Sequence, residues 1–133
     1  RFSEERNTEV SFSKPRNYLY EPNDSVLKAG AFKAVGNMFD LKKLAPSTHF
    51  YTSDNMIENF PGRIFETIAE IKADPRDAKR WIADQKANVI TRNYPLTAVA
   101  LRDKLKLKDG GELYVIGCAG ESNRHVLVAR RAK

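Results

Sequence analysis

The sequence predicts an α+β chain, with a small N-terminal αβ lobe followed by a C-terminal lobe of order β-α-β-α-β-β. Three observations carry that prediction. Apolar residues recur at spacings of three and four over 24–39, as on one face of a helix; they alternate over 63–72, as along a strand; and Pro61-Gly62, Asp74-Pro75 and Asp109-Gly110-Gly111 break the chain into short elements. With 133 residues, 41% of them hydrophobic, the chain can bury one ordinary core or two very small ones.

In the N-terminal lobe, Val26, Leu27, Ala31, Val35 and Met38 follow the polar pair Asn23-Asp24, which predicts a capped helix over 24–39. Residues 41–47 contain Pro46 and read as a connection. Aromatic and β-branched residues then predict a strand over 48–52, and 53–59 reads as a loop. Pro61-Gly62 marks the lobe boundary.

In the second lobe, Phe65, Thr67, Ala69 and Ile71 alternate against Ile64, Glu66, Ile68 and Glu70, which predicts a strand over 63–72. Asp74 can cap free amides and Pro75 suits a first helical turn, so a helix is expected from there to about residue 85, with Ala78, Trp81 and Ile82 on one face. A strand over 88–92 follows, then a helix over 95–105 with Asn93 as its cap and Pro95 in its first turn. After a turn at Asp109-Gly110-Gly111, strands over 112–119 and 125–131 are joined by the hairpin loop 120–124. Trp81, Leu101, Val115 and Val128 are expected inside.

The composition bounds the function. The longest apolar runs, such as Leu113 to Cys118, fall far short of the ~20 residues of a membrane-spanning helix, and no signal peptide is visible. Cys118 is the single cysteine and is expected to be a buried, inert thiol, which favours a reducing, cytoplasmic compartment. Arg1 and the polar run 1–17 lead to the expectation of a lead-in left from an upstream domain. Net charge is +6, and its distribution is uneven: residues 1–59 hold 8 Lys+Arg against 8 Asp+Glu, and the remainder 15 against 9. The whole surplus belongs to the second half, which makes a polyanion a natural partner.

Catalytic patterns are scarce. There is no glycine-rich dinucleotide turn, phosphate-binding loop or Cys-x-x-Cys. His49 and His125 lack the neighbours of a zinc site and read as ordinary strand histidines. Glu21-Pro22-Asn23-Asp24 reads as capping for the helix behind it. Asn93-Tyr94-Pro95-Leu96 is a poor match to the Asn-Pro-Pro-Tyr loop of amino-group methyltransferases, since the second proline is missing and the aromatic is misplaced. The chain is therefore expected to hold no catalytic, cofactor or metal site of its own.

The basic residues are more informative. Arg102 and Lys106 lie four apart on the predicted helix, Lys104 and Lys108 flank them, and Arg92, Arg124, Arg130 and Arg131 come from strands or their ends. One cationic face built from them would neutralise phosphates, and Arg side chains or a projecting Tyr94 would stack on exposed bases.

Several segments together carry a family resemblance: Tyr18-Leu-Tyr-Glu-Pro-Asn-Asp-Ser-Val-Leu-Lys-Ala-Gly-Ala-Phe32, Tyr51-Thr-Ser-Asp54, Asn59-Phe-Pro-Gly-Arg-Ile-Phe65, Arg92-Asn-Tyr-Pro-Leu96 and Leu105-Lys-Leu-Lys-Asp-Gly-Gly111. They resemble the C-terminal region of bacterial class I S-adenosylmethionine-dependent methyltransferases, where a small ferredoxin-like piece precedes a THUMP-like domain. On that resemblance, 18–58 would be the ferredoxin-like lobe and 59–133 the THUMP-like domain. The resemblance implies an upstream catalytic domain that binds S-adenosylmethionine, and a tail that presents structured RNA, transfer or ribosomal, to it. The alternative is a module that docks on its own methyltransferase domain or on a second copy.

Overall fold

A computed structural model describes residues 13–23, 39, 41–45 and 48–133; the predicted helix over 24–39 and most of the polar lead-in lie outside the described residues. The strands are β1 (Tyr18–Pro22), β2 (Lys42–Ala45), β3 (Thr48–Ser53), β4 (Gly62–Ile71), β5 (Asn88–Arg92), β6 (Leu113–Ala119) and β7 (Arg124–Arg131). Among the described residues the helices are α1 (Pro75–Trp81) and α2 (Ala98–Lys104). From β4 onward the order is β-α-β-α-β-β, as the sequence predicts.

All the strands join one sheet of order β2-β3-β1-β4-β7-β6-β5. Every pairing is antiparallel except β5 with β6, the two strands linked through α2. The sheet runs unbroken across the predicted lobe boundary, because β1 pairs with β4 in the register Pro22↔Gly62 and Glu21↔Arg63.

Side-chain alternation gives that sheet two faces. On one, Ile71, Val115, Val126 and Val128 pack with Ala78 and Ile82 of the α1 segment and with Leu101 and Leu105 of the α2 segment. On the other, all seven strands supply one cluster: Leu19, Leu44, Phe50, Phe65, Ile90, Ile116, Cys118, Leu127 and Ala129. Strands at opposite ends of the sheet order can share a cluster only if the sheet curls, and contacts between its ends show that it does. Arg92 at the end of β5 lies over the Phe50 ring of β3, 5.8 Å from its centroid, and Asn93 Nδ2 donates to Thr48 Oγ1 at 3.3 Å. A third cluster, Tyr20, Leu41, Tyr51, Phe60 and Ile64, lies on the outer side of β1, β3 and β4.

Local chemistry sets the element ends. The Asp74 carboxylate accepts from Asp77 N at 2.9 Å, and Pro75 stands in the first turn of α1, as expected. For α2 the cap is Thr97, whose hydroxyl accepts from Ala100 N at 3.1 Å, and not Asn93. Asn93 instead takes φ 53°, a left-handed conformation that asparagine tolerates, and turns the chain out of β5. Helix α2 closes with paired bonds from Lys106 N to Asp103 O and from Leu107 N to Arg102 O, with Lys106 at the left-handed position usually given to glycine.

Two further expectations need correction. Trp81 is 48% exposed, because it stands about 60° round the helix from Ala78 on the side away from Ile82, and those two smaller residues fill the inward positions. The stretch containing Lys42–Ala45 is a strand rather than a connection. Residues Tyr18–Pro22 form a strand that periodicity did not reveal.

Candidate nucleic-acid interface

The nine residues singled out from the sequence do not gather on one face. Arg102 is bound by two aspartates, with Nη1 2.8 Å from Asp109 and Nη2 3.3 Å from Asp103. Arg130 Nε donates to Glu66 at 2.7 Å, across the β4–β7 register. Lys104, Lys106 and Lys108 are exposed, and a bridge sets exposed Lys86 beside Lys108. Arg124 is exposed at the start of β7.

Tyr94 is half-buried, and its ring covers Gly117: a Cβ added at Gly117 would stand 3.2 Å from two ring carbons. Burial pushes its phenol above the usual value, and the charge of Arg124 pulls the other way. That ring serves packing before anything else.

Arg92 and Arg131 are drawn together with a residue that charge patterning passed over, Arg63. All three line an open cleft of about 520 Å³ with Glu21, Pro22, Asn23 and Gly62. Glu21 is 8% exposed and holds two of the arginines: Arg63 Nε donates to Oε1 at 2.5 Å, and Arg92 Nη2 donates to Oε2. The bond to Glu21 is the foremost reason that the Arg63 guanidinium sits even higher than its ordinary value. Arg63 also lies over the Phe65 ring, 5.2 Å from its centroid.

The Glu21 carboxylate is thus a counter-ion on β1, which corrects its reading as a helix cap. No local signal marks the pair: the β1–β4 register sets Glu21 opposite Arg63 and Pro22 opposite Gly62. Gly62 is required there: a Cβ would overlap the Glu21 carbonyl oxygen and come within 2.9 Å of the Pro22 Cα.

Elsewhere, His125 is 6% exposed, with Nδ1 2.8 Å from Glu70, which ties β7 to β4 in the manner of an ordinary strand histidine. The His49 side chain lies outside what the structure describes. Burial pushes the Cys118 thiol up to about 12, which makes it an inert thiol. Among the described residues, no three His, Cys, Asp or Glu side chains gather to hold a metal, and no helix is long and apolar enough to cross a membrane. Gly110 and Gly111 carry positive φ in the turn before β6, not between a strand and the helix after it, so they do not form a dinucleotide turn.

Comparison with known proteins bears on this geometry. Residues 62–131 match a family described as THUMP domain-like, and residues 18–61 match a ferredoxin-like domain. A crystal structure of a protein from Porphyromonas gingivalis W83, provisionally named a methyltransferase, superposes with a TM-score of 0.88 at 34% identity over 98% of this chain. The chain spans about a third of that protein, 33% of its length. None of the curated proteins matches.

Proposed function

This chain belongs to the THUMP domain-like family, and on that premise we propose that it is an RNA-binding module that presents a transfer or ribosomal RNA to a methyltransferase domain lying upstream. The observation that carries this reading is the exposure of Lys104, Lys106 and Lys108, close in sequence at the end of α2, with exposed Lys86 bridged to Lys108. Such a group contacts phosphates, fixes orientation and reads no sequence, so shape and the upstream pocket would choose the nucleotide. S-adenosylmethionine belongs, on this reading, to the upstream domain, and the module itself performs no chemistry. The 34% identity to a longer protein provisionally named a methyltransferase supports that division of labour.

The test is fluorescence anisotropy of the chain with transfer RNA and with duplex DNA of similar length, at ~50 and ~200 mM salt. RNA-preferring binding that weakens with salt, and weakens further in a Lys104/Lys106/Lys108 triple alanine variant, is the expected result. No RNA binding even at the lower salt refutes the reading.

Docking on a protein surface is the second reading, favoured by the exposure of Trp81 at 48%, since a half-exposed tryptophan is a common interface anchor. Under that reading Trp81→Ala removes a dimer seen by sedimentation, or separates the chain from a co-expressed methyltransferase domain, and leaves RNA affinity unchanged.

A further inference from the structure

Positive charge that is only partly compensated gathers at the seam between the matched ferredoxin-like and THUMP-like segments. Glu21 comes from the first; Arg63, Arg92 and Arg131 come from the second. Both Glu21 oxygens are taken, Oε1 by Arg63 and Oε2 by Arg92, so its one negative charge is already spent on those two cations. Arg131 donates Nε to the Lys133 main-chain oxygen at 3.1 Å, and among the described residues no Asp or Glu side chain reaches it. Among the described residues that line the cleft, one acidic side chain faces three guanidiniums, so positive charge is in excess there.

We propose that this cleft is a seat for one phosphate group, with the Nη groups of Arg131 as donors that no acidic side chain among the described residues takes up, and Arg63 and Arg92 as a clamp that Glu21 holds ready. Glu21 fixes the two guanidiniums while 34% and 43% of their side chains remain exposed, so they keep donors for a ligand and lose little freedom on binding it. A carboxylate ligand would bring one charge and a single plane of acceptors, which Glu21 already supplies. A phosphate brings acceptors out of that plane, to which the third guanidinium can add. If the RNA reading above holds, the occupant is a phosphate of the RNA strand, and the seat would then fix the strand against both segments at once. Otherwise it is the phosphate of a small ester.

Two arms separate these cases, both on the whole chain and on Arg131→Gln. That residue is exposed and makes no hydrogen bond or ion pair with Glu21, Arg63 or Arg92, so its loss leaves the fold intact, as melting in chloride verifies. In the first arm, inorganic phosphate at ten times its dissociation constant raises the wild-type melting temperature by about 5 °C over chloride of equal ionic strength, and the variant shows no rise. Absence of the wild-type rise, or an equal rise in the variant, overturns the seat. In the second arm, the slope of log affinity for transfer RNA against log salt falls by about 0.7–0.9 in the variant, the equivalent of one phosphate contact. RNA binding with an unchanged slope overturns the seat for RNA and leaves the RNA reading standing. A phosphate effect in a protein that binds no RNA supports the seat with a small ester as occupant, while the RNA reading falls.

Discussion

The Glu21 and Arg102 clusters are the same arrangement with the signs exchanged. At Glu21 one anion is held between two cations; at Arg102 one cation is held between Asp103 and Asp109. Their surroundings differ. The Glu21 side chain is 11% exposed, whereas Asp103 and Asp109 are 67% and 72% exposed. Water already solvates the Arg102 cluster, so its contacts replace bonds to solvent and gain little. At Glu21 the carboxylate has left water, and its two arginines are what makes that burial tolerable. The inner cluster is therefore part of the architecture, closing β5 onto β1, and the outer one mainly neutralises a helix surface. The same geometry serves two purposes, and burial selects between them.

The harshest test of this contrast is Gly62→Ala, which drives a methyl group into the backbone that carries Glu21. Backbone cannot swing aside as a side chain can, so a loss of about 3 kcal/mol or outright failure to fold is expected in urea unfolding. Glu21→Ala comes next. Breaking a fully buried ion pair costs about 3–5 kcal/mol, and here about 2 kcal/mol is expected because the abandoned arginines still reach solvent. A loss no larger than that of an exposed-pair variant would erase the distinction.

How dry the inner face is can be read from Cys118, which pairs in register with Arg92 and whose thiol is raised from 9.0 to about 12 by burial, with a smaller contribution from Glu70. Because the folded state holds the proton more tightly than the unfolded chain, the stability this gives is whole below pH 9 and is lost as pH climbs toward 12. Wild type is expected to lose up to about 1.4 kcal/mol per pH unit more than Cys118→Ala across that window. Equal slopes would mean that water reaches the face. The smallest effect belongs to the other cluster: Arg102→Ala should leave the urea midpoint unmoved, and a clear shift would show that its aspartates do more than solvate a surface.

Much of the second lobe was legible because each element there carries its own local signal. Asp74-Pro75 starts a helix, Gly110-Gly111 turns the chain, and alternation marks β4. β1 and β2 were hidden for equally physical reasons. β1 ends in Glu21 and Pro22, and β2 begins with two lysines, so neither shows the alternation of a half-buried strand; Lys43 is nevertheless 3% exposed. Their strand character comes from partners distant in sequence, which no local window contains. The candidate site divided in the same way. Arg92 and Arg131 could be picked out by charge, but Glu21 and Arg63 acquire meaning only through the β1–β4 register.

The cluster to which all seven strands contribute also constrains how the molecule is made. The bond between Arg92 and Glu21 spans 71 residues, and that between Arg130 and Glu66 spans 64. As the ribosome releases β1, β2 and β3, the surfaces they must cover do not yet exist, and their apolar inner side has to wait for the last two strands. Such topology folds slowly, since distant segments must meet before any of them is rewarded. It also means that the ferredoxin-like segment is not a transferable module, because severed near residue 61 it would carry one wall of a core whose other wall had been left behind.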